Sequence, residues 1–277
     1  MDSIYIVISD VPPDHKNQLL VSHLETVFTA EVSLYTKSSF KVTDFMPVPT
    51  LIIIDQTKNS HEGYTVLKSL KTVSQFNLVP VLMLNTKGQK PDTVDKFWFD
   101  ADGYVQWPSE IPDLTEQAQA LIKKMNYEKN NKGLREKLCF LVQNELKNLF
   151  EVNNYISDLF THTGLDNDEI VNLRLTLDEI GTNAIRHGNL NDPSKMVIIR
   201  CLLYEKYLSV TIEDQGKGFD VTGIPDPTTT GRILLPSGRG IFIARQLMDK
   251  VLFHGDGNKV EFIKELPLPL QKSSSSC

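Results

Sequence analysis

The sequence predicts two domains of different fold class: an α/β domain with a doubly wound parallel sheet, then an α+β domain built as a two-layer sandwich. The first part of the chain alternates short β-branched runs with helical patterns, which is typical of a parallel sheet covered on both faces. The second part places helices before strands that follow one another directly, which favours helices packed on an antiparallel sheet. The length of 277 residues also suits two domains.

The strands and helices of the first domain follow from its apolar patterns. Strand-length apolar runs occur at residues 4–8, 51–54 and 79–84. Helical patterns lie between and after these runs, at residues 15–28, 63–72 and 113–124.

The domain limits rest on composition. Residues 126–132 are polar and show no period, and Gly133 follows them, so we expect a linker at 126–134. This gives a first domain at 1–125 and a second at 135–266. The tail at 267–277 contains four consecutive serines, and we expect it to be disordered.

The second domain begins with a strand at residues 138–142 and helices at 145–160 and 166–187. Two strands follow at 196–203 and 207–213, and a loop rich in Gly, Pro and Thr occupies 216–239. A helix at 240–249 and strands at 250–254 and 259–265 complete the predicted elements.

Charge, cysteine content and hydropathy exclude several classes of function. The net charge of −6 provides no basic field for nucleic acid, so we expect no direct nucleic-acid binding. The three cysteines form no paired-spacing motif, which favours a reducing cytoplasm over a disulfide-stabilised protein. We also expect no signal peptide and no membrane-spanning segment, because neither a basic leader nor a long apolar run is present.

The longest predicted helix carries three polar side chains along one side. Glu179, Asn183 and His187 recur at intervals of four, at the edge of an apolar stripe formed by residues 170, 173, 177, 180 and 184. An amide oxygen is a suitable ligand for Mg²⁺, and a carboxylate one turn away could orient or deprotonate a hydroxyl. For the spacing alone, solvated polar residues beside an amphipathic helix are the commoner interpretation.

Two glycine-rich motifs follow this helix. Asp214 ends a strand that alternates apolar and polar residues, and Gly216 and Gly218 after it would let the backbone pass close to a flat base. Gly238 and Gly240 precede an apolar helix, whose free amide groups and dipole favour an anion such as phosphate. Taken singly, each motif is more often a plain glycine turn, and the common P-loop signature is absent.

Together, the motifs resemble those of a known superfamily. E-x-x-x-N-x-x-x-H-G, D-x-G-x-G and G-x-G before a helix occur in this order, as do the N, G1 and G2 boxes of the gyrase/histidine-kinase ATPases. Within that superfamily, LTLDEIGTNAIRHGN and SGRGIFIARQLMDKV resemble the anti-sigma-factor serine kinases. The resemblance covers the predicted second domain and implies a histidine-kinase-like ATPase fold with ATP and Mg²⁺ as cofactors.

The resemblance assigns roles to residues of the long helix. It implies that Asn183 binds Mg²⁺ and that Glu179 is the catalytic general base or an orienting carboxylate. It places His187 and Gly188 with the nucleotide-binding residues at the end of this helix.

The resemblance also assigns roles to the glycine motifs. It implies that Asp214 binds the adenine amine with Gly216 and Gly218 beneath the base. Phosphate binding would fall to the backbone at Gly238, Arg239 and Gly240. Residues 220–236 would form a lid over ATP, in which Arg232 is more simply a solvated loop residue than a phosphate ligand.

The first domain resembles the receiver domains of response regulators. Asp55 ends a predicted strand and is the candidate phosphoacceptor, and Gly63 follows at the spacing of that family. The runs at 79–84 and 101–104 also fit. This resemblance implies the parallel, doubly wound receiver fold.

The first domain departs from the receiver pattern at three places around Asp55. The acidic pair that holds Mg²⁺ falls on Ser9 and Asp10, the usual hydroxyl falls on Asn85, and the lysine falls on Trp107. Phosphoryl transfer needs cationic charge around the developing oxyanion. We therefore expect a degenerate receiver used for docking or dimerisation rather than a phosphorylated switch.

Three functions are compatible with these motifs to different degrees. The resemblance favours an ATP-dependent protein serine/threonine kinase that acts on an anti-sigma antagonist, with the same domain able to sequester a sigma factor. The alternative is a non-catalytic, ATP-dependent protein-interaction switch, although such a switch does not need Glu179. A sensor histidine kinase is disfavoured, because no histidine lies between residues 63 and 161. A homodimer stays open.

Overall fold

The computed structural model describes residues 3–8, 15–36, 47–57, 60–86, 96–107, 111–218 and 239–267. Contacts between Cα atoms divide the chain into two compact units, Met1–Leu141 and Val142–Cys277. Within the described residues, no helix is both long and apolar enough to cross a membrane.

The first unit is built on a five-stranded parallel sheet with the order β2-β1-β3-β4-β6. Parallel strands in the order 2-1-3-4-5 define the doubly wound fold shared by flavodoxin and receiver domains, so the α/β prediction is confirmed. The strands of this sheet are β1 (Ser3–Ile8), β2 (Glu31–Thr36), β3 (Leu51–Asp55), β4 (Val81–Asn85) and β6 (Gly103–Gln106).

Helices α1 (His15–Phe28), α2 (Ser60–Lys71) and α3 (Ile111–Lys132) accompany this sheet. The central strands are buried almost throughout, as their apolar runs predicted. One core cluster joins side chains of β1, β3 and β4 to those of α1 and α3, including Ile53, Leu82 and Leu114. Buried apolar area of this kind is the main favourable term in the stability of the fold.

The segment expected to be a linker, residues 126–134, is mostly helical. Helix α3 continues through this segment to Lys132, and Gly133 then takes a positive φ of 70° before the next strand begins. The polar residues therefore form the solvated end of a helix whose first turns pack on the sheet. Because that end does not pack on the sheet, its sequence need not show an apolar period. The domain limits themselves stay predictions.

Three short strands of the first unit were not predicted: β2, β5 (Phe97–Phe99) and β6. β2 is exposed or half-buried along its length and has no continuous apolar run, and β5 and β6 have only three and four residues, so none of them gives a clear apolar signal. In a receiver topology, a helix would be expected between β4 and the last strand. Here that stretch includes β5, which lies beside β7 (Leu134–Gln143), and the Asp100 backbone N–H donates to the Cys139 carbonyl at 2.8 Å.

The second unit combines helices with an antiparallel sheet, which confirms the α+β prediction. The sheet of the second unit contains β8 (Met196–Tyr204), β9 (Tyr207–Glu213), β10 (Lys250–His254) and β11 (Lys259–Glu265). These strands lie in the order β10-β11-β9-β8, and all three pairings between them are antiparallel.

The helices of the second unit are α4 (Leu146–Thr161), α5 (Asn167–Asn183) and α6 (Arg239–Leu247), and α5 packs against both of the others. The stripe predicted on α5 is buried at Leu173, Leu177 and Ile180. Most of the predicted lid and tail, with Arg232 and Gly238, lies outside the described residues.

A buried ion cluster stabilises the first unit. The Asp102 carboxylate accepts hydrogen bonds from Lys71 Nζ at 3.0 Å and from the Val81 backbone N–H at 2.8 Å, and Lys137 of β7 pairs with its other oxygen. The Asp102 side chain is only 4% exposed. Burial alone would raise the pKa of Asp102, but the charges of Lys71 and Lys137 outweigh it and hold the pKa at about 2.

Replacing Asp102 by Asn should destabilise the protein strongly, because it leaves two lysines in the cluster without their counter-ion. We expect a loss of about 3–5 kcal/mol in the free energy of unfolding, measured by urea denaturation at neutral pH. Replacing Lys132 by Ala, which breaks the exposed pair with Glu128 and the contact of the Lys132 ammonium with the Tyr127 ring, should cost about 1 kcal/mol or less. Equal effects of the two substitutions would contradict this account.

The cluster also predicts a pH dependence. Because the pKa of Asp102 is lowered on folding, its contribution is complete above the usual value of 3.8 and is lost as the pH falls towards about 2. Asp102→Asn should therefore flatten the acid limb of the stability curve in this pH range.

Candidate functional site

Helix α5 is positioned by a well-formed N-terminus. The Asp166 side chain accepts from the Glu169 backbone N–H at 2.9 Å, while the Glu169 side chain accepts from the Asp166 backbone N–H at 3.3 Å. This capping box satisfies two of the otherwise unpaired backbone groups at the helix start. The predicted helix start is thus confirmed, and the helix leads from it to Asn183.

The end of this helix is a π-helix rather than a further α-helical turn. Residues Ala184–Gly188 form it, and the Asn189 backbone N–H donates to the Ala184 carbonyl five residues earlier, at 2.8 Å. Such π-helical turns are frequent at functional sites. The sequence pattern predicted a helix to His187 but contained no signal for this change of hydrogen bonding.

Glu179 and Asn183 meet the start of helix α6 at Gly240. A Cβ added to Gly240 would lie 2.7 Å from Asn183 Nδ2 and 3.0 Å from Glu179 Oε2. Gly240 is buried, whereas Glu179 and Asn183 are both half-buried. The structure therefore brings together a carboxylate, an amide and a helix N-terminus from two sequence motifs that are far apart in the chain.

The remaining glycine motif meets the π-helix at Gly188. A Cβ on Gly188 would lie 2.2 Å from Asp214 Cγ, and a Cβ on Gly216 would lie 2.2 Å from the Gly188 carbonyl oxygen. No side chain fits at either position, so both glycines are required by close approach. Asp214 is therefore held at the end of the helix that carries Asn183.

Two contacts fix the orientation of Asp214. Its Oδ1 accepts from the Gly216 backbone N–H at 2.8 Å, and its backbone is bonded in both directions to Asn258, at 2.9 and 3.0 Å. Burial raises the pKa of Asp214, and the bond from Gly216 opposes that rise. A half-buried carboxylate held in this way has a second oxygen available for a polar ligand.

The other predicted site residues have different environments. Gly218 has a φ of +73°, and a Cβ there would lie 2.0 Å from the Asp256 carbonyl oxygen, so it packs against the turn between β10 and β11. His187 is exposed beside Gly188. The backbone of Arg239 begins α6, whereas Gly238 lies outside the described residues.

The arrangement fits a metal-bound nucleoside triphosphate. Gly240 brings the start of α6 so close to Asn183 and Glu179 that a side chain there would clash with them, and Asp214 supplies a hydrogen-bond acceptor. Asn183 precedes the π-helix and Gly188 ends it, so the two residues lie at opposite ends of this segment. The residues around Asn183 and those around Gly188 can thus contact different parts of one nucleotide.

Asp55 lies in a different environment in the first unit. Its Oδ1 accepts from the Thr57 backbone N–H at 2.9 Å and from the Thr57 hydroxyl at 2.7 Å. Asn85 accepts a hydrogen bond from Gln56, and Trp107, at the lysine position of receivers, is 7% exposed and belongs to the apolar core. Ser9 and Asp10 lie outside the described residues.

A strained turn follows the π-helix and predicts a stabilising substitution. Leu190 and Asn191 have φ values of 58° and 55°, and Leu190 is 74% exposed. Leu190→Gly should raise the free energy of unfolding by about 0.5–1 kcal/mol relative to Leu190→Ala, because only glycine removes the strain. Both changes remove the same exposed side chain. Equal denaturation midpoints would show that the turn is not strained.

Comparison with known proteins gives matches for both parts of the chain. Residues 142–264 match the histidine kinase-like ATPase domain family. The anti-sigma F factor of Anoxybacillus flavithermus is 36% identical over 115 residues, which are 40% of this chain and 76% of that protein. The anti-sigma F factor of Geobacillus stearothermophilus is 34% identical over 94 residues, 33% of this chain and 64% of that protein.

A serine-protein kinase RsbW from Bacillus licheniformis is 29% identical over 102 residues, 35% of this chain and 64% of that protein. The chain thus spans slightly under two thirds of two of these three relatives. Among solved structures, the chemotaxis response regulator CheY4 of Vibrio cholerae aligns with 44% of this chain and 99% of its own, at 18% identity and a TM-score of 0.35.

Proposed function

The chain belongs, through its C-terminal part, to the anti-sigma F factor family, and from this premise we propose that it is an ATP-dependent protein serine/threonine kinase. Its proposed substrate is a small protein that antagonises an anti-sigma factor, and the same domain is proposed to sequester a sigma factor. The meeting of Glu179, Asn183 and Gly240 is the observation that carries the proposal.

In the proposed mechanism, Mg·ATP supplies the phosphoryl group, and the protein supplies position and charge. The Asn183 amide oxygen would hold the metal, and the first backbone amides of α6 would bind the phosphates. Glu179 would orient the substrate hydroxyl and accept its proton. Asp214 would accept a hydrogen bond from the exocyclic amine of adenine.

Glu179 and Asn183 should separate transfer from binding. Glu179→Ala should abolish phosphoryl transfer and leave the Kd for Mg·ATP within about threefold, since a base contributes mainly to the transition state. Asn183→Ala should weaken Mg·ATP binding tenfold or more, because the metal loses its only proposed protein ligand. Calorimetry measures binding, and labelled ATP with a purified protein substrate measures transfer.

The control for both variants is Arg174→Ala, which changes an exposed residue of the same helix. It should leave binding and transfer unchanged. Persistent transfer by Glu179→Ala would remove Glu179 from the mechanism and favour the non-catalytic interaction switch. Absence of any heat with ATP or ADP and Mg²⁺ on the unmodified protein would reject both functions.

The partner is best sought by a pull-down from native lysate with and without Mg·ATP. Phosphoserine or phosphothreonine on a recovered partner supports the kinase. A partner recovered in a nucleotide-dependent manner without phosphorylation supports the switch. We place the protein in the cytoplasm, and sedimentation of the pure chain tests the homodimer.

The first unit is proposed to be a degenerate receiver that serves docking rather than phosphoryl transfer. Trp107 is buried where a receiver needs an exposed lysine, and it supplies no charge for the developing oxyanion. Incubation with acetyl phosphate and Mg²⁺ should therefore leave Asp55 unlabelled, as measured by intact mass. A mass increase of one phosphoryl group that Asp55→Asn abolishes would contradict this proposal.

A further inference from the structure

We propose that Asn189 is a positioning residue that sets the place of Asp214 and thereby the preference for adenine; this inference rests on the proposed ATP-binding function. Asn189 follows Gly188 directly and is completely buried, at 0% exposure. A buried amide must satisfy its donors and acceptor within the protein, since an unpaired polar group is costly.

The Asn189 side chain connects three segments around the site. Its Nδ2 donates to Asn144 Oδ1 and to the Met196 carbonyl, both at 3.0 Å. Its Oδ1 accepts from the Gln215 backbone N–H at 2.8 Å. The end of β7, the start of β8 and the loop after β9 are therefore tied to the end of the π-helix by one amide.

The bond to Gln215 reaches the residue next to Asp214. On its other side, Asp214 is bonded to Asn258 through its backbone. The two contacts hold the loop from opposite directions, while Gly188 and Gly216 leave no spare room between them. Without the Asn189 bond, the loop would keep the Asn258 contact and the bond from the Met196 backbone N–H to Gln215 Oε1, but no bond to the end of the π-helix from Gln215.

The turn after Asn189 supports this assignment. Leu190 and Asn191 both adopt the left-handed region, which is strained for leucine. Such strain persists only where surrounding contacts over-determine the backbone. The Asn189 amide provides those contacts, together with the bond from the Asn191 backbone N–H to the Ile185 carbonyl at 2.9 Å.

The predicted effect is selective for the base. Asn183 and Gly240 belong to the proposed phosphate-binding residues, and none of the described Asn189 bonds reaches them. Loss of the Asn189 amide should therefore displace the group that reads the adenine amine and leave the phosphate end in place. A purely structural residue would instead weaken every nucleotide alike.

The experiment compares Mg·ATP with the magnesium complex of purine riboside triphosphate, which lacks the exocyclic amine. The unmodified chain should bind ATP about tenfold more tightly than the analogue, the worth of one hydrogen bond to a carboxylate. Asn189→Ala should raise the Kd for ATP about tenfold, leave that for the analogue within about twofold, and so abolish the preference.

The matched control is Asn144→Ala, which removes one partner of the Asn189 amide but leaves its bond to Gln215. It should lower the melting temperature and preserve the preference for ATP. Equal weakening of both nucleotides by Asn189→Ala, or an unchanged preference, would overturn the inference while leaving ATP binding itself intact. Failure of the unmodified chain to bind Mg·ATP would overturn the proposed function instead.

A second pair keeps the test decisive if Asn189→Ala does not fold. Gln215→Pro removes the backbone N–H that donates to Asn189. Gln215→Ala keeps that N–H and removes the side chain, whose Oε1 accepts from the Met196 backbone N–H at 2.8 Å. The preference for ATP should be lost in Gln215→Pro and retained in Gln215→Ala. The same preference in both variants would reject the role of the Asn189–Gln215 bond.

Discussion

The close approach of backbone to backbone at Gly188 is the constraint on which the candidate site depends. The Gly188 carbonyl and the Asp214 side chain occupy the space where side chains of Gly216 and Gly188 would be. Interiors are packed densely enough that a single added carbon is felt. The end of helix α5 and the end of strand β9 can therefore meet only because both contact positions are glycine.

A second close approach brings Gly240 to Asn183 and Glu179. Gly240 starts helix α6 directly against Asn183 and Glu179, so the positive end of that helix dipole faces a carboxylate and an amide. The π-helix between the two ends sets their spacing. One continuous helical segment carries Glu179, Asn183 and Gly188.

In the first unit, buried charges stabilise the fold rather than form a candidate binding site. Asp55 bonds to Thr57, and the buried Trp107 occupies the position at which receivers have a lysine. The paired charges of Asp102 and Lys71 are buried as structural groups. Buried ion pairs stabilise a fold mainly when both partners and their hydrogen bonds are present. The structure thus shows the receiver fold in this unit, and we propose that the unit does not act as a phosphorylated switch.

Much of the fold and site could be predicted from the sequence, because those signals are local. Helical periodicity predicted α1 and α5, and alternation predicted β9. The order of three motifs leads to the prediction that Asn183, Asp214 and Gly240 share a site, and the structure brings Gly240 to Asn183 and Asp214 to Gly188. The short strands β5 and β6 carried too few residues for a period. The expected linker was helical, because contacts made by its first turns outweigh a weak local pattern.

The sequence by itself determined the two fold classes, the motif residues and the glycines, since these depend on backbone conformation and spacing along the chain. Only the tertiary structure decided which side chains hold the motifs in place. Asn189, Asn258 and Asn144 are ordinary polar residues in the sequence, and their roles arise from partners distant in the chain. A hydrogen bond between distant residues leaves no period in the sequence, so it becomes visible only when the chain has folded.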